Sequence, residues 1–187
     1  MIKLYKAQIT DFNEADYAKM YSLLDYALKQ KVDFKKCKTN KKQTLAGYIL
    51  LWQGAKELYG ESDFKISFNQ YGKPICDFCE FNISHSKQWV VCAFSDKPIG
   101  VDIQKISHIK PRQRYKFFNQ KENIYVNQNY DFLSEKYIEI FTKKEAALKM
   151  LGLPISDAAK IDTFSDEFCF KVKKFDEYIL CICTSNA

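Results

Sequence analysis

The stretch Ile99-Gly100-Val101-Asp102-Ile103-Gln104-Lys105, near the middle of the chain, reads as a short buried strand in which one carboxylate interrupts an apolar run. Val and Ile are residues that strands favour, whereas a buried carboxylate without partners is costly. Asp102 therefore calls for compensation by a metal, a cationic side chain or a cage of hydrogen bonds. Taken alone, the heptad also fits an aspartate that caps a turn at a strand end. The segments around it decide between these.

Upstream, Asp96-Lys97-Pro98 is a turn, and Trp89-Val90-Val91-Cys92-Ala93-Phe94 is a strong strand. Two strands joined so tightly are expected to form an antiparallel hairpin, with Ser84 to Ser86 at the end opposite its turn. Tyr71-Gly72-Lys73-Pro74 is a second turn, held by its Gly and Pro. Before it, residues 63–69 alternate as a strand, and residues 45–59 carry apolar side chains at helical spacing up to Gly60. A lysine-rich loop separates that helix from an earlier one at 12–28, capped by Thr10 or Asp11, and residues 2–9 form the first strand. Downstream, Pro111 can begin a helix through Phe118, and residues 121–126 continue as helical turns. The longest helical pattern covers 132–151 and is ended by Gly152 and Pro154. Strands at 160–163, 168–172 and 178–183 close the chain. Each half is thus strands plus long helices, with no low-complexity linker between them. The expected fold is α/β (α+β), two subdomains sharing one interface.

Composition narrows the function classes. The chain has 187 residues, 47% hydrophobic and 16% aromatic, enough to bury a real core. No run approaches the roughly 18 apolar residues of a membrane helix. The alternating start Met-Ile-Lys-Leu-Tyr-Lys-Ala suggests a strand and not a signal peptide, so a cytoplasmic location and no membrane partner are expected. The seven cysteines then read as reduced thiols. Cys76-Asp77-Phe78-Cys79 has CxxC spacing, but zinc needs a second pair and Cys181-Ile182-Cys183 offers only C-x-C, so small apolar side chains near a sheet are the favoured reading. The net charge is +6, with Lys35, Lys36, Lys38, Lys41 and Lys42 in one segment. That segment is an electrostatic landing site for an anion or an acidic partner, or else a solvated loop. Nucleic acid has less support, since the aromatics follow core periodicity and form no stacking platform.

Glu145 and Lys149 stand four apart and share a helix face, as in many surface ion pairs. Ser84 and His85 are adjacent on a strand and point to opposite faces, which argues against a nucleophilic dyad. A histidine and hydroxyls at a strand end do suit a phosphate, and so does Lys73 just before them.

In order and spacing, Gly72-Lys73-Pro74, Phe81-Asn82-Ile83-Ser84-His85-Ser86, Gly100-Val101-Asp102-Ile103-Gln104 and Phe141-x-x-Lys144-Glu145-Ala146-x-x-Lys149 resemble the surfactin-type 4′-phosphopantetheinyl transferases. The signatures of that family are a glycine-lysine-proline turn, FNxSHS, GxDxE and W-x-x-KEA-x-x-K. The resemblance implies a monomeric pseudo-dimer of two subdomains, here 1–98 and 99–187, with coenzyme A in the cleft between them. It also implies transfer of the phosphopantetheine arm to a serine of an apo acyl or peptidyl carrier protein, with release of 3′,5′-ADP. Cleaving a pyrophosphate demands charge neutralisation and alignment, and magnesium takes hard oxygen ligands. By motif match, Asp102, Glu145 and Gln104 are the metal positions, and magnesium is then the compensation Asp102 requires. Lys149 would sit beside the bridging phosphates, and Glu122 matches the glutamate proposed to deprotonate the carrier serine. Lys73, Ser84 and His85 match coenzyme A contacts, His85 near the 3′-phosphate, and Lys36, Lys38 and Lys42 match more loosely. Three positions depart from the pattern: Gln104 supplies no charge, Phe141 replaces Trp, and Gln43 stands where the family has arginine. The carrier is expected to dock on residues 112–126, where Phe117, Phe118, Ile124 and Tyr125 are flanked by Arg112, Arg114, Lys116 and Lys121. The alternative reading is a non-catalytic coenzyme A- or nucleotide-binding protein of the same fold, which Gln104 makes thinkable.

Overall fold

The computed structural model describes residues 1–107 and 117–186. The chain lays down one strand, Ile2–Gln8 (β1), and then three helices, Glu14–Leu23 (α1), Tyr26–Asp33 (α2) and Lys38–Tyr59 (α3). Ser67–Phe68 (β2) and Pro74–Ile75 (β3) pair with each other, and Glu80–Ser86 (β4) and Trp89–Ser95 (β5) follow. β1, β5 and β4 form an antiparallel sheet in that order. Next come Ile99–Lys105 (β6), the helices Gln120–Gln128 (α4) and Leu133–Leu151 (α5), and the strands Phe168–Phe175 (β7) and Tyr178–Ser185 (β8). These strands make a second antiparallel sheet of order β6-β8-β7.

The two sheets are built alike. Each has a central strand that lacks polar alternation, the mark of burial on both faces. In β5, Val90, Cys92 and Phe94 pack toward α3, while Val91 and Ala93 join a second cluster. In β8, Ile179, Cys181 and Cys183 belong to clusters that include α5, while Tyr178 and Leu180 join the same second cluster as Val91 and Ala93. That shared cluster, completed by Ile99, Val101 and Ile103, packs one sheet on the other. Among the described residues no helix is long and apolar enough to cross a membrane.

Several expected elements differ. The hairpin is β4–β5, turned at Lys87 (φ 54), and not β5–β6. An all-apolar β5 takes a neighbour on each edge, so 96–98 carries the chain to the other sheet. The helix expected at 12–28 is two, because Asp25 accepts a hydrogen bond from the Leu28 N–H and starts α2 afresh; Asn13, not Thr10 or Asp11, caps α1. Lys38, Lys41 and Lys42 are not in a loop but on the first turns of α3, where Glu14 and Asp33 offset their charge. The strand expected at 63–69 shrinks to β2, and no strand forms at 160–163, where the 3-10 turn Ile155–Lys160 ends and the chain continues without regular pairing. The helix expected at 111–118 falls almost wholly outside the described residues.

Candidate active site

Alternation along β6 sends Ile99, Val101 and Ile103 into the core between the sheets and Gly100, Asp102 and Gln104 toward α5. At Gly100 the strand rests on the helix backbone: an added Cβ would lie 1.9 Å from the Ala146 carbonyl oxygen. This contact brings Asp102, which is fully buried, within reach of the helix face that carries Glu145 and Lys149. Lys149 Nζ lies 2.5 Å from Asp102 Oδ1. Ser84 Oγ donates to that same oxygen at 2.7 Å, and Gln104 Nε2 donates to Oδ2 at 3.0 Å. Within the protein, the carboxylate is thus partnered by a cation and a hydrogen-bond cage. The strand-end cap is excluded, since Asp102 sits mid-strand.

Glu145 completes the wall of the same cavity, of about 300 Å³, with Ser84, His85, Asp102, Gln104, Phe141 and Lys149. Burial and the nearby charge of Asp102 push its carboxyl above the ordinary range, against a smaller pull from Lys149. A group whose folded pKa is raised contributes stability that is present below its unfolded value and lost as pH rises through the folded one. Glu145→Gln is therefore expected to melt at a higher temperature than the wild type at pH 8, with the gain vanishing below about pH 4.3. A lower melting temperature for the variant at pH 8 would contradict this account of the site.

The FNxSHS segment has a role the sequence hid. Asn82 Oδ1, Ser84 Oγ and Ser86 Oγ accept the backbone N–H groups of Val101, Ile103 and Lys105 at 2.9, 3.3 and 3.0 Å. Alternate side chains of β4 thereby serve the free edge of β6 and join the two sheets. Ser84 also accepts from Lys149 at 2.8 Å, so its hydroxyl is fully committed inside the protein. His85, on the opposite face, looks into the cleft. Partial burial there, then the nearby Lys149 and Lys35, hold its pKa below the ordinary histidine value, although the residue keeps an exposed edge.

Ile83 and His85 also line a larger cavity of about 690 Å³ with Lys31, Lys35, Tyr48, Phe34 and Gln43. A third, of about 220 Å³, lies between Tyr71–Pro74 and Lys149–Leu153 and shares Gly72, Pro74 and Ile83 with the larger one. Together they form one cleft. Lys73 lines it, but its ammonium donates to the Met150 carbonyl at 3.0 Å, and burial lowers its pKa. Asn69, unremarked in the sequence, builds the turn: it accepts from the Tyr71 and Lys73 N–H groups and donates to the Gly152 carbonyl. Of the lysine segment, Lys42 turns to Glu14 at 2.8 Å and Lys38 to the same carboxylate at 3.8 Å, and Lys36 is exposed and outside the cavity lining. From this part of the chain, the cations that line the cleft are Lys31 and Lys35. Both lie at the end of α2 or just past it, where helical spacing alone did not mark them.

Glu122 stands apart from this cluster. It is fully buried; one oxygen accepts from the Thr163 N–H and hydroxyl, and the other faces Lys144 Nζ at 2.8 Å and the Asn119 N–H. Asn119 caps α4, and Glu122 is the reciprocal partner of that capping box. Both oxygens of Glu122 are thus hydrogen-bonded inside the protein, and it is not among the residues that line the cavity around Asp102. In the segment expected to dock the carrier, most of the apolar side chains pack inward. Phe118 stacks on Tyr137, Phe117 meets Phe141 and Tyr125 meets Phe164, so among these four apolar residues Ile124 is the one that is exposed, at 47%. Arg112, Arg114 and Lys116 lie outside the described residues.

The profile of the 4′-phosphopantetheinyl transferase superfamily matches residues 98–183. A 4′-phosphopantetheinyl transferase of Bacillus subtilis is 30% identical over 169 residues, covering 77% of this chain and 74% of that protein. The 4′-phosphopantetheinyl transferase Sfp of Bacillus subtilis (strain 168) is 34% identical over 129 residues, 66% of this chain and 57% of its own length. The 4′-phosphopantetheinyl transferase gsp of Aneurinibacillus migulanus is 44% identical over 88 residues, 45% of this chain and 36% of its own length. The chain thus spans between about a third and three fifths of the length of the latter two.

Proposed function

The chain belongs to the 4′-phosphopantetheinyl transferase superfamily, and we propose that it moves the phosphopantetheine arm of coenzyme A onto a serine of an apo acyl or peptidyl carrier protein. The observation that carries this reading is the convergence of Asp102, Gln104, Glu145, Lys149 and His85 on one cavity of a cleft that continues past Lys31 and Lys35. We divide the chain into an N-terminal part, 1–98, that receives the nucleotide end and a C-terminal part, 99–187, that carries the reacting end, working as a single chain.

In this reading Lys31, Lys35 and His85 face the phosphates of the nucleotide, and Lys149 lies beside the oxygen that bridges them. The carrier's serine oxygen forms a bond to the β-phosphorus as its proton passes to solvent, and the bond from that phosphorus to the oxygen of the departing 3′,5′-ADP breaks. Lys149 is held in place for charge on the leaving oxygen by Asp102 and Ser84. The cleft also fits magnesium, since two carboxylates and an amide are hard-oxygen donors gathered on one wall, and Asp102, Glu145 and Gln104 would hold the ion. Bound there, it would supply further positive charge to the phosphates.

The test is to incubate the protein with coenzyme A, magnesium and a panel of apo carrier proteins, following the carrier mass and the release of 3′,5′-ADP. Modification of at least one carrier is expected, and it should fall when magnesium is chelated. Tight coenzyme A binding with no carrier modified would instead point to a binding protein.

His85 gives a second check. Its depressed pKa leaves the ring neutral at pH 7, so its attraction for a phosphate should strengthen as pH falls through the histidine range. His85→Ala is expected to raise KM for coenzyme A about tenfold, the loss of one good polar contact to an anion, with a smaller rise for 3′-dephospho-coenzyme A. Equal losses with both would place His85 away from the 3′-phosphate.

A further inference from the structure

Away from the cleft, the Cys76-Asp77-Phe78-Cys79 segment has a geometry that small apolar side chains do not need. It connects β3 to β4. The two sulfurs lie 3.5 Å apart, and the Cys76 thiol group also reaches the Cys79 carbonyl at 3.3 Å. The turn between them is pinned by Phe78, whose ring meets Tyr59 and Phe64 edge-on. Both cysteines are half-buried, within reach of a small reagent, while Cys92, Cys181 and Cys183 are buried.

We propose that Cys76 and Cys79 form a redox-active dithiol that closes to an internal disulfide by exchange with low-molecular-weight disulfides. Their protonation suits the two roles. A hydrogen bond with Cys79, together with the Cys79 and Phe78 backbone, brings the Cys76 thiol down to about 7 against the effect of burial. Cys79, on the other side of that contact and itself partly buried, is pushed far above its ordinary value. Cys76 is therefore the attacking thiolate and Cys79 the resolving thiol.

The chemistry balances with the disulfide as oxidant. The Cys76 thiolate attacks one sulfur of the reagent, a mixed disulfide forms, and the first small thiolate leaves and takes up a proton. Cys79 then gives up its proton and attacks Cys76 Sγ, the mixed disulfide breaks, and a second small thiol leaves. Two protein thiols and one small disulfide become one internal disulfide and two small thiols.

The site also has a position that matters. Cys76 follows the strand that leaves Lys73 and Pro74 in the cleft wall, and Cys79 precedes the strand that carries Asn82, Ser84 and His85. Closing the pair ties the two segments together behind the cleft. The inference is independent of the transfer reaction and stands or falls on the thiols alone.

The experiment uses the full-length protein with oxidised glutathione, quenched by alkylation and mapped by peptide mass. The expected product carries a Cys76–Cys79 disulfide, two hydrogens lighter, reversed by dithiothreitol. Exposed Cys37, which has no such partner, should stop at the glutathione adduct. Cys79→Ser should likewise halt at the adduct on Cys76, and Cys76→Ser should slow reaction of the remaining thiol at least tenfold at pH 7, the loss of its low-pKa partner. An adduct on wild-type Cys76 or Cys79 without the internal disulfide would overturn the proposal. So would alkylation of Cys76 no faster than that of buried Cys92, a readout that needs no variant.

Discussion

Gly100→Ala is expected to leave no stably folded protein. The new methyl carbon would sit 1.9 Å from the Ala146 carbonyl oxygen and 2.5 Å from the Met150 nitrogen, both backbone atoms of α5. Overpacking a core commonly costs about 1–3 kcal/mol when side chains can give way. Here a whole strand and helix must part, so the loss should exceed about 4 kcal/mol, a large share of the roughly 5–15 kcal/mol a domain possesses. Gly47→Ala is the control, because its Cβ would meet the Ile83 methyl at 2.9 Å, a side-chain atom that can move. Chemical denaturation and soluble yield would decide. A Gly100→Ala protein as stable as the wild type would mean that β6 does not rest on α5 as described.

The second large effect is at Lys144. Its ammonium is fully buried, paired with Glu122 at 2.8 Å and bonded to the carbonyls of Ala158 and Ile161. Burial lowers its pKa, and the Glu122 carboxylate partly restores it. Lys144→Met keeps the stem and strips the charge, leaving a buried carboxylate and two buried carbonyls short of a donor. Breaking such a pair typically costs about 3–5 kcal/mol. Adding Glu122→Gln should recover part of that loss, because the uncompensated charge is then gone. The same single change, Glu122→Gln, also tests whether this residue acts as a base. Turnover should fall only as far as stability does; a much larger drop in turnover with the fold intact would return Glu122 to the chemistry.

The sequence was legible where a pattern is local. Helix α5, the apolar runs of β5 and β8, and the Gly60 and Gly152 stops fall where spacing places them. The partners of Asp102 were half legible: a buried carboxylate demands compensation, and Lys149 sits at the right helical spacing from Glu145, but nothing in the spacing says that the lysine serves it. Strand partners were not legible. β5 and β6 are neighbours in sequence and belong to different sheets, because pairing is settled by burial of both faces of β5 and not by the shortness of the turn. Asn69 and Ser86 were missed for a similar reason. Each acts by hydrogen bonds to backbone groups distant along the chain, and such bonds leave no periodicity. The Asn119-x-x-Glu122 spacing is that of a capping box, a local signal the sequence carried, and the structure uses it as one.

The way Asn82, Ser84 and Ser86 meet β6 has a consequence for assembly. A strand with a row of unsatisfied N–H groups is a template on which a second molecule can build a sheet. Here three short polar side chains occupy that template, so the molecule protects its own strand edge without adding a strand to it. The protection is modular: it reads as every second residue of one hexapeptide, and no backbone contact replaces it if those residues are lost. A chain stripped of all three should therefore fail by sticking to copies of itself as well as by loosening, and a self-association that grows with concentration would be the sign.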